Sequence, residues 1–298
     1  MAALSALMAE LRARHGGSVN CIVAYGSCVR SGDLFDGLLD LYLICDNYRA
    51  AYTNPLLALG NWLLPPNVFY AEIEHEGRTL RSKYALISSS DFQRFCSTSR
   101  FESYVWGRFA QPVSLFWCRD TDSRTQVELQ LLEAVKTFLT RCLPGLPATG
   151  SVDTLWRDAL ALSYATELRS ERSGRASELA DTSREHFAAV SGLVSGALKF
   201  PFTVYTEGDA ISYRAEVPAI QRRLSGTGWM LRRALGKLLS LLRLLKGLFT
   251  FDGGLDYVAW KLERHSGQEI AIPDRVRRFP LVFVWGFCWQ LYRRGIFK

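Results

Sequence analysis

Residues 19–46, VNCIVAYGSCVRSGDLFDGLLDLYLICD, hold the pattern that decides the fold of this chain. The apolar run Val19–Tyr25 predicts one β-strand, and residues 38–45 predict a second one. The second run is apolar apart from Asp40, so a single carboxylate lies on a predicted strand. A carboxylate at such a place can hold Mg²⁺, which makes Asp40 the first candidate for a functional residue.

A tight turn at Gly26 and Ser27 follows the first strand. Glycine lets the backbone approach a phosphate, and serine offers a hydroxyl and N–H groups. Such a turn, followed by a carboxylate on the next strand, is the minimal apparatus of the nucleotidyltransferase fold. The usual D-x-D pair is absent, because Leu38 and Tyr42 flank Asp40. The alternative is a buried β-α-β segment in which Gly26 only turns the chain and Asp40 caps a neighbouring group.

The composition is that of a folded globular protein. The chain has 298 residues, 48% of them hydrophobic and 22% charged, which is long enough for two domains and excludes a disordered or fibrous protein. The formal net charge is +7, and residues 217–251 contain no acid. This stretch predicts an anionic partner. Its cations are Arg222, Arg223, Arg232, Arg233, Lys237, Arg243 and Lys246.

Redox, metal and targeting motifs are not evident in the sequence. The seven cysteines form no C-x-x-C pair, so we expect neither a disulfide framework nor a zinc site, and a reducing compartment. Residues 1–17 predict a short amphipathic helix and no signal or transit peptide.

The segment NVFYAEIEHEGRTLRSKYALIS predicts a β-hairpin that turns at residues 76–77. Strand alternation places Tyr70, Glu72 and Glu74 on one face. Glu72 or Glu74 is therefore a candidate for the second metal ligand that the Asp40 strand lacks. The alternative is a polar face that only contacts water.

Six motifs occur in a characteristic order. The first four are AYGSCV, LLDLYLICDN, KYALIS and YVWGRFAQPV, and residues 162–169 and 246–262 add LSYATELR and KGLFTFDGGLDYVAWKL. Together they resemble the mitochondrial translocator assembly and maintenance family, whose members are CDP-diacylglycerol synthases, that is, phosphatidate cytidylyltransferases. The resemblance is dense between about residues 21 and 113 and patchy beyond.

The resemblance implies an α+β protein with a nucleotidyltransferase-fold N-terminal domain, residues 1–120, and a mostly helical domain, residues 121–298. Residues 144–150 are the candidate linker between them. The implied reaction is Mg²⁺-dependent and converts CTP and phosphatidate to CDP-diacylglycerol and pyrophosphate.

The implied site combines a phosphate-binding turn, a metal ligand and cations. The turn would bind the nucleotide, Asp40 would ligate Mg²⁺, and Lys83 and Arg108 would pair with phosphate oxygens. Asp46 is a further candidate ligand, because an offset of six residues returns it to the same strand face. The second domain would either reach the site or only pin one helix to the catalytic half. The expected nucleotide-binding residues are Tyr25, Gly26, Ser27, Ser163, Tyr164, Glu167 and Arg169.

The departures from the family pattern predict a distant, bacterial member. Cys28 stands where the family has Gly, Gln111 where it has Lys, and Glu167 where it has Asp. Two alternative functions are therefore a nucleotidyltransferase-fold protein that acts on RNA or another acceptor, and a catalytically inactive, membrane-associated relative.

We also expect a peripheral membrane protein, on the cytoplasmic face of the bacterial inner membrane or the matrix side of the mitochondrial one. The longest apolar run, residues 279–289, is shorter than the roughly 20 residues of a spanning helix. The basic stretch alternates with Leu rather than with stacking aromatics, which favours anionic lipid over a nucleic acid. The alternative is a buried helix with solvated cations. The cations expected to meet lipid are Arg232, Arg233, Lys237, Arg243 and Lys246.

Overall fold

The protein is built around a five-stranded mixed β-sheet, which confirms the predicted α+β class. The computed structural model describes residues 2–26, 35, 37–167, 174–208, 210–250, 259, 263, 268, 270–278 and 280–293. The sheet has the order β3-β4-β2-β1-β5. Its strands are β1 (Val19–Tyr25), β2 (Leu39–Cys45), β3 (Asn67–His75), β4 (Arg78–Ser88) and β5 (Val113–Cys118).

Strand pairing follows the sequence patterns. β1 is antiparallel to both β2 and β5, and β2 is parallel to β4. β3 and β4 form the predicted hairpin, where Glu76 and Gly77 have φ angles of 51° and 73°. Two consecutive residues with positive φ are typical of the tight hairpin turn whose twist matches that of the strands. β1 and β2 are almost wholly apolar because both lie inside the sheet and are covered on both faces.

Helices cover both faces of this sheet. One face packs on α1 (Ala2–Arg14), through Leu7, Met8 and Leu11. The other face forms a second core that runs from Cys21 to Trp229. The remaining helices before the second sheet are α2 (Tyr48–Ala51), α3 (Pro55–Leu63), α4 (Ser89–Cys96), α5 (Trp106–Phe109) and α6 (Thr121–Cys142).

The second half of the chain adds a three-stranded sheet with helices around it. The order of this sheet is β6-β8-β7, and β7 and β8 form an antiparallel hairpin. The elements are β6 (Thr149–Ser151), α7 (Val152–Tyr164), α8 (Arg175–Thr182), α9 (Arg184–Leu193), β7 (Phe202–Glu207), β8 (Ala210–Ala215), α10 (Ala219–Thr250), α11 (Asp274–Arg278) and α12 (Pro280–Arg293).

The segment proposed as a linker is part of the folded structure. Leu143 is fully buried in a short 3₁₀ turn, and β6 pairs with β8. The linker prediction over residues 144–150 is therefore wrong, since these residues pack and pair. The division of the chain at residue 120 stays a prediction.

Two cysteines also differ from expectation. Cys21 and Cys118 lie opposite each other on β1 and β5, and the structure joins their sulfur atoms as a disulfide. Sequence spacing could not reveal this pair, because 97 residues separate the two cysteines and only the strand register brings them together.

Helix α10 is anchored by its cations rather than exposing all of them. Arg232 donates to the carbonyl of Phe101 at 3.0 Å. Lys246 donates to the carbonyls of Leu64 and Pro66. These two cations, and Arg243 as described below, do not form the solvent-facing lipid surface that the sequence suggested. Arg233 and Lys237 are exposed.

No helix among the described residues is long and apolar enough to span a bilayer. The apolar run at residues 279–289 lies almost wholly in α12.

Lys246 provides a pH test of how α10 is anchored. Burial, followed by the charge of Arg243, lowers the pKa of Lys246 to about 7, whereas an unfolded lysine has a pKa of about 10.4. Between these values the unfolded chain binds more protons than the folded one. The free energy of unfolding should therefore rise from about pH 7 to pH 9, and this contribution is constant below that range. Urea unfolding at several pH values measures the rise, and Lys246→Met should lose it.

Lys237→Met is the matched control, because it removes an exposed lysine from the same helix. In this variant the free energy of unfolding should rise with pH as steeply as in the wild-type chain. If the free energy of unfolding of Lys246→Met rises with pH as in the wild-type chain, the Lys246 ammonium group is not desolvated in the folded protein.

Candidate functional site

The candidate site begins with a row of side chains across one end of the large sheet. Strand register pairs Tyr25 with Asp40 and Asp40 with Lys83, so the three side chains share one face. Lys83 Nζ lies 3.2 Å from Asp40 Oδ1. A carboxylate and an ammonium group are thus held side by side at the end of β1, where the chain turns.

The turn after β1 requires glycine. Gly26 has a φ angle of 92°, a conformation that residues with a Cβ atom rarely adopt. A Cβ atom at this position would also lie 3.2 Å from Asp40 Oδ2. The glycine therefore allows the backbone to pass close to the carboxylate, and Asp40 has Lys83 on one side and the Gly26 backbone on the other.

Arg108, on α5, lies beside this row. Its guanidinium carbon is 5.3 Å from the ring centre of Tyr25 and 4.5 Å from that of Tyr104. It donates to Tyr42 Oη at 3.4 Å and to Glu167 Oε1 at 3.3 Å. Burial opposes the charge of Arg108, but the phenol groups and Glu167 outweigh burial and raise its pKa. Arg108 is thus a fixed, permanently charged cation.

A second cation reaches the same aromatic cluster from α10. The guanidinium carbon of Arg243 is 4.1 Å from the ring centre of Tyr104. Arg243 also forms a bidentate ion pair with Glu102, with N–O distances of 2.6 and 3.0 Å. Both side chains are less than 10% exposed. The long helix of the second half is therefore tied to the aromatic cluster around Arg108.

The tyrosines differ in how easily they ionise. Burial raises the pKa of Tyr25 and that of Tyr42. Burial would raise that of Tyr104 too, but the charges of Arg108 and Arg243 outweigh it and lower the pKa of Tyr104. Tyr104 is therefore the phenol of this cluster that loses its proton first.

Other residues expected to bind nucleotide hold helices together. Tyr164 donates to Gln111 Oε1 at 3.0 Å, and Ser163 is buried against Gly107. These contacts favour the alternative in which this segment holds α7 against the N-terminal half of the chain. Glu167 does reach the site, through Arg108.

Ser27 and Arg169, which were also expected to bind nucleotide, lie outside the described residues.

The additional metal ligands expected from the sequence are far from Asp40. Asp46 is six residues further along the chain, roughly 20 Å along an extended strand, and its two oxygens accept from Arg119 at 3.0 and 3.3 Å. That hydrogen bond lowers the pKa of Asp46. Asp46 therefore faces a different partner at the opposite end of β2, and its assignment as a ligand beside Asp40 is wrong.

Glu72 and Glu74 lie on β3, which β4 separates from β2. Two strand spacings are about 10 Å, too far for a shared metal. Glu72 accepts from Tyr70 Oη at 2.6 Å and pairs with Arg81 at 3.4 Å, and Glu74 is exposed. The hairpin thus does not complete a metal site with Asp40.

Within the described residues no three His, Cys, Asp or Glu side chains cluster as metal ligands. Magnesium is often bound by one or two carboxylates together with substrate phosphates. Asp40, held between the Lys83 ammonium and the glycine turn, meets that minimal requirement for an ion that arrives with a nucleotide. It is the residue that would hold Mg²⁺ here.

Sequence reasoning missed Tyr104 and the Glu102–Arg243 pair. Tyr104 precedes Arg108 by four residues, a spacing that brings side chains together on helices, and this signal was available. Glu102 and Arg243 are separated by more than a hundred residues, so only the packing of α10 brings them together.

Comparisons with known proteins give little further information. No protein-family model matches this chain, and no curated protein matches it. Among solved structures, a nucleotidyltransferase-like protein from Exiguobacterium sibiricum 255-15 is similar over 99% of this chain and 91% of that chain, with 14% sequence identity and a TM-score of 0.28. Because the TM-score is low, this neighbour carries no argument about activity.

Gly26→Ala tests the close contact between the turn and Asp40. The positive φ angle alone should cost about 1–2 kcal/mol of unfolding free energy, and the Cβ atom must also displace the carboxylate. Gly17→Ala is the control, since Gly17 has a φ angle of 76° and nothing within 4 Å of an added Cβ. Urea unfolding should show a larger loss for Gly26→Ala, and the excess should vanish in an Asp40→Ala background. Equal losses of unfolding free energy in the two alanine variants would show that the contact between the added Cβ atom and the carboxylate does not affect stability.

Proposed function

We propose that this chain binds a nucleoside triphosphate at Gly26, Asp40, Lys83 and Arg108 and transfers its nucleotidyl group. The observation that carries the proposal is the Asp40–Lys83 pair beside a glycine turn whose backbone passes within contact distance of the carboxylate. A glycine turn gives a phosphate access to backbone N–H groups. A lysine and an arginine beside it supply the charge that phosphate oxygens require.

The chemistry of nucleotidyl transfer suits this set of residues. An acceptor phosphate oxygen bonds to the α-phosphorus, and the bond from that phosphorus to the leaving pyrophosphate oxygen breaks. The attacking oxygen is already an anion, so a strong general base is unnecessary. What remains is alignment and charge stabilisation, which we assign to Lys83 and Arg108. Mg²⁺ bound at Asp40 would supply further neutralisation of phosphate charge.

We further propose CTP as the nucleotide and phosphatidate as the acceptor, with CDP-diacylglycerol and pyrophosphate as products. The support is the ordered set of motifs in the sequence, which includes the segments carrying Asp40, Lys83 and Arg108. The described contacts are compatible with any nucleoside triphosphate. The assay therefore has to vary the nucleotide and the acceptor independently.

Asp40→Asn tests the reaction directly. Purified chain is incubated with labelled CTP, phosphatidate and Mg²⁺, and lipid-soluble cytidine product is measured. Loss of this charge should lower turnover by about a hundredfold or more while the thermal melt is retained. Asp46→Asn is the matched control and should stay active, because Asp46 binds Arg119 at the other end of the strand. Normal turnover in a folded Asp40→Asn chain would exclude Asp40 from the reaction.

A lipid acceptor requires contact with a membrane surface, and we propose α3 and α10 for it. Helix α3 has no charged residue, and Leu56 and Trp62 are 73% and 64% exposed. On α10, Leu238, Leu241 and Leu245 follow helical spacing and are exposed. Other exposed large apolar residues of the two helices are Leu59, Leu63, Ile220, Leu224, Met230, Leu231, Leu242 and Leu244.

Charge favours an anionic bilayer as the occupant of this surface. Arg223, Arg233 and Lys237 are exposed on α10, which contains no acid. The two helices are joined because Arg243 and Lys246 of α10 donate to backbone carbonyls of residues 64–66, directly after α3. Tryptophan and leucine beside basic residues are typical of helices that lie in the headgroup region.

The double variant Leu59→Glu/Trp62→Glu tests this surface. It should bind vesicles containing phosphatidate about tenfold or more weakly than the wild-type chain in a sedimentation assay, because it places two carboxylates against anionic headgroups. CTP binding should be unchanged. Leu193→Glu is the matched control, since Leu193 is 70% exposed on α9.

Unchanged sedimentation of the double variant would exclude α3 from the membrane surface. A wild-type dimer in light scattering that the double variant abolishes would instead assign the surface to contact between copies. Salt-sensitive binding to RNA with no binding to vesicles would favour a nucleic-acid partner.

A further inference from the structure

Arg108 and Arg243 share one aromatic ring, although they belong to different halves of the chain. Their guanidinium carbons lie 4.5 and 4.1 Å from the ring centre of Tyr104. A guanidinium group is attracted to the electron-rich face of an aromatic ring, and the attraction grows when water is excluded. Tyr104 therefore connects the two cations physically.

The two arginines are not held equally well. Arg243 has a partner for every guanidinium nitrogen: the two oxygens of Glu102 at 2.6 and 3.0 Å, and the carbonyl of Pro65 at 3.0 Å. Arg108 donates to Tyr42 and Glu167 over longer distances, 3.4 and 3.3 Å, and also interacts with the side chain of Tyr104. The contacts with Tyr25 and Tyr104 therefore help to fix the orientation of Arg108.

We propose that Arg243, fixed by Glu102, positions Arg108 through the ring of Tyr104. This inference rests on the proposed function, in which Arg108 pairs with a nucleotide phosphate. Arg243 is a positioning residue, since it acts through Tyr104 and its own donors are already occupied. An arginine that is ordered before the phosphate arrives loses less conformational freedom on binding, so the ligand binds more tightly.

The double variant Glu102→Gln/Arg243→Met tests the proposal by removing both members of the buried pair. Arg100 also donates to Glu102, at 3.0 Å, but its side chain is 32% exposed and stays in contact with water in the variant. Removing both members of a buried ion pair is often neutral for stability, whereas removing one is not. We expect CTP affinity of the full chain to fall about five- to tenfold, in the range of a lost cation–aromatic contact. In an Arg108→Gln background the same double variant should cause no further loss. A loss of equal size in both backgrounds would overturn the proposal, because it would show that the pair acts only on the fold.

The matched control is Asp46→Asn/Arg119→Met. It removes an arginine–carboxylate pair with similar distances, 3.0 and 3.3 Å, from the opposite end of the sheet. CTP affinity should be unchanged in this variant.

A second readout needs no nucleotide. Ultraviolet difference spectra follow the ionisation of tyrosines with pH, and the step that disappears in Tyr104→Phe belongs to Tyr104. Because the charges of Arg108 and Arg243 lower the pKa of Tyr104, this step should move to higher pH in Glu102→Gln/Arg243→Met and stay in place in the control variant. A step that does not move would overturn the inference. If the wild-type chain fails to bind CTP, the proposed function fails, and the titration alone decides whether Arg243 acts on Tyr104.

Discussion

The charge of Arg108 is the constraint around which the site is arranged. A guanidinium group taken out of water must find acceptors or aromatic faces, or its burial is strongly unfavourable. Here the compensation comes from the rings of Tyr25 and Tyr104, the hydroxyl of Tyr42, and Glu167 after α7. One largely buried cation, with 18% of its side chain exposed, therefore ties the end of the sheet to the second half of the chain.

Much of the large sheet could be predicted from sequence because its signals are local. Val19–Tyr25 was predicted with its observed bounds, and the hairpin turn at Glu76 and Gly77 was predicted at its observed position. Both depend on residues that are adjacent in the chain. The error at residues 144–150 has the same origin, since proline and glycine mark a chain reversal without showing whether the reversal packs against a neighbour.

The site was predicted less completely, because its contacts depend on register and on distant packing. Asp40 and Lys83 were singled out from motifs, and strand register places them side by side. The even offset that suggested Asp46 assumed that the strand continues to this residue, whereas β2 ends at Cys45. Alternation reveals which face a side chain occupies, whereas a ligand set also requires that the side chains lie at the same end.

Helix α10 shows why a count of charges along a sequence does not identify a partner. Its cations have no acid nearby in sequence, which suggested a surface awaiting an anion. In the fold, Arg222, Arg232, Arg243 and Lys246 donate to groups of the same chain, and Arg243 meets its carboxylate on the far side of the sequence at Glu102. The exposed cations of the helix are then a smaller set beside a row of leucines. We propose that this exposed face of α10 meets an interface that offers both apolar and anionic groups. Burying leucine side chains is favourable only against apolar surface, so a partner that offers charge alone would leave them in water.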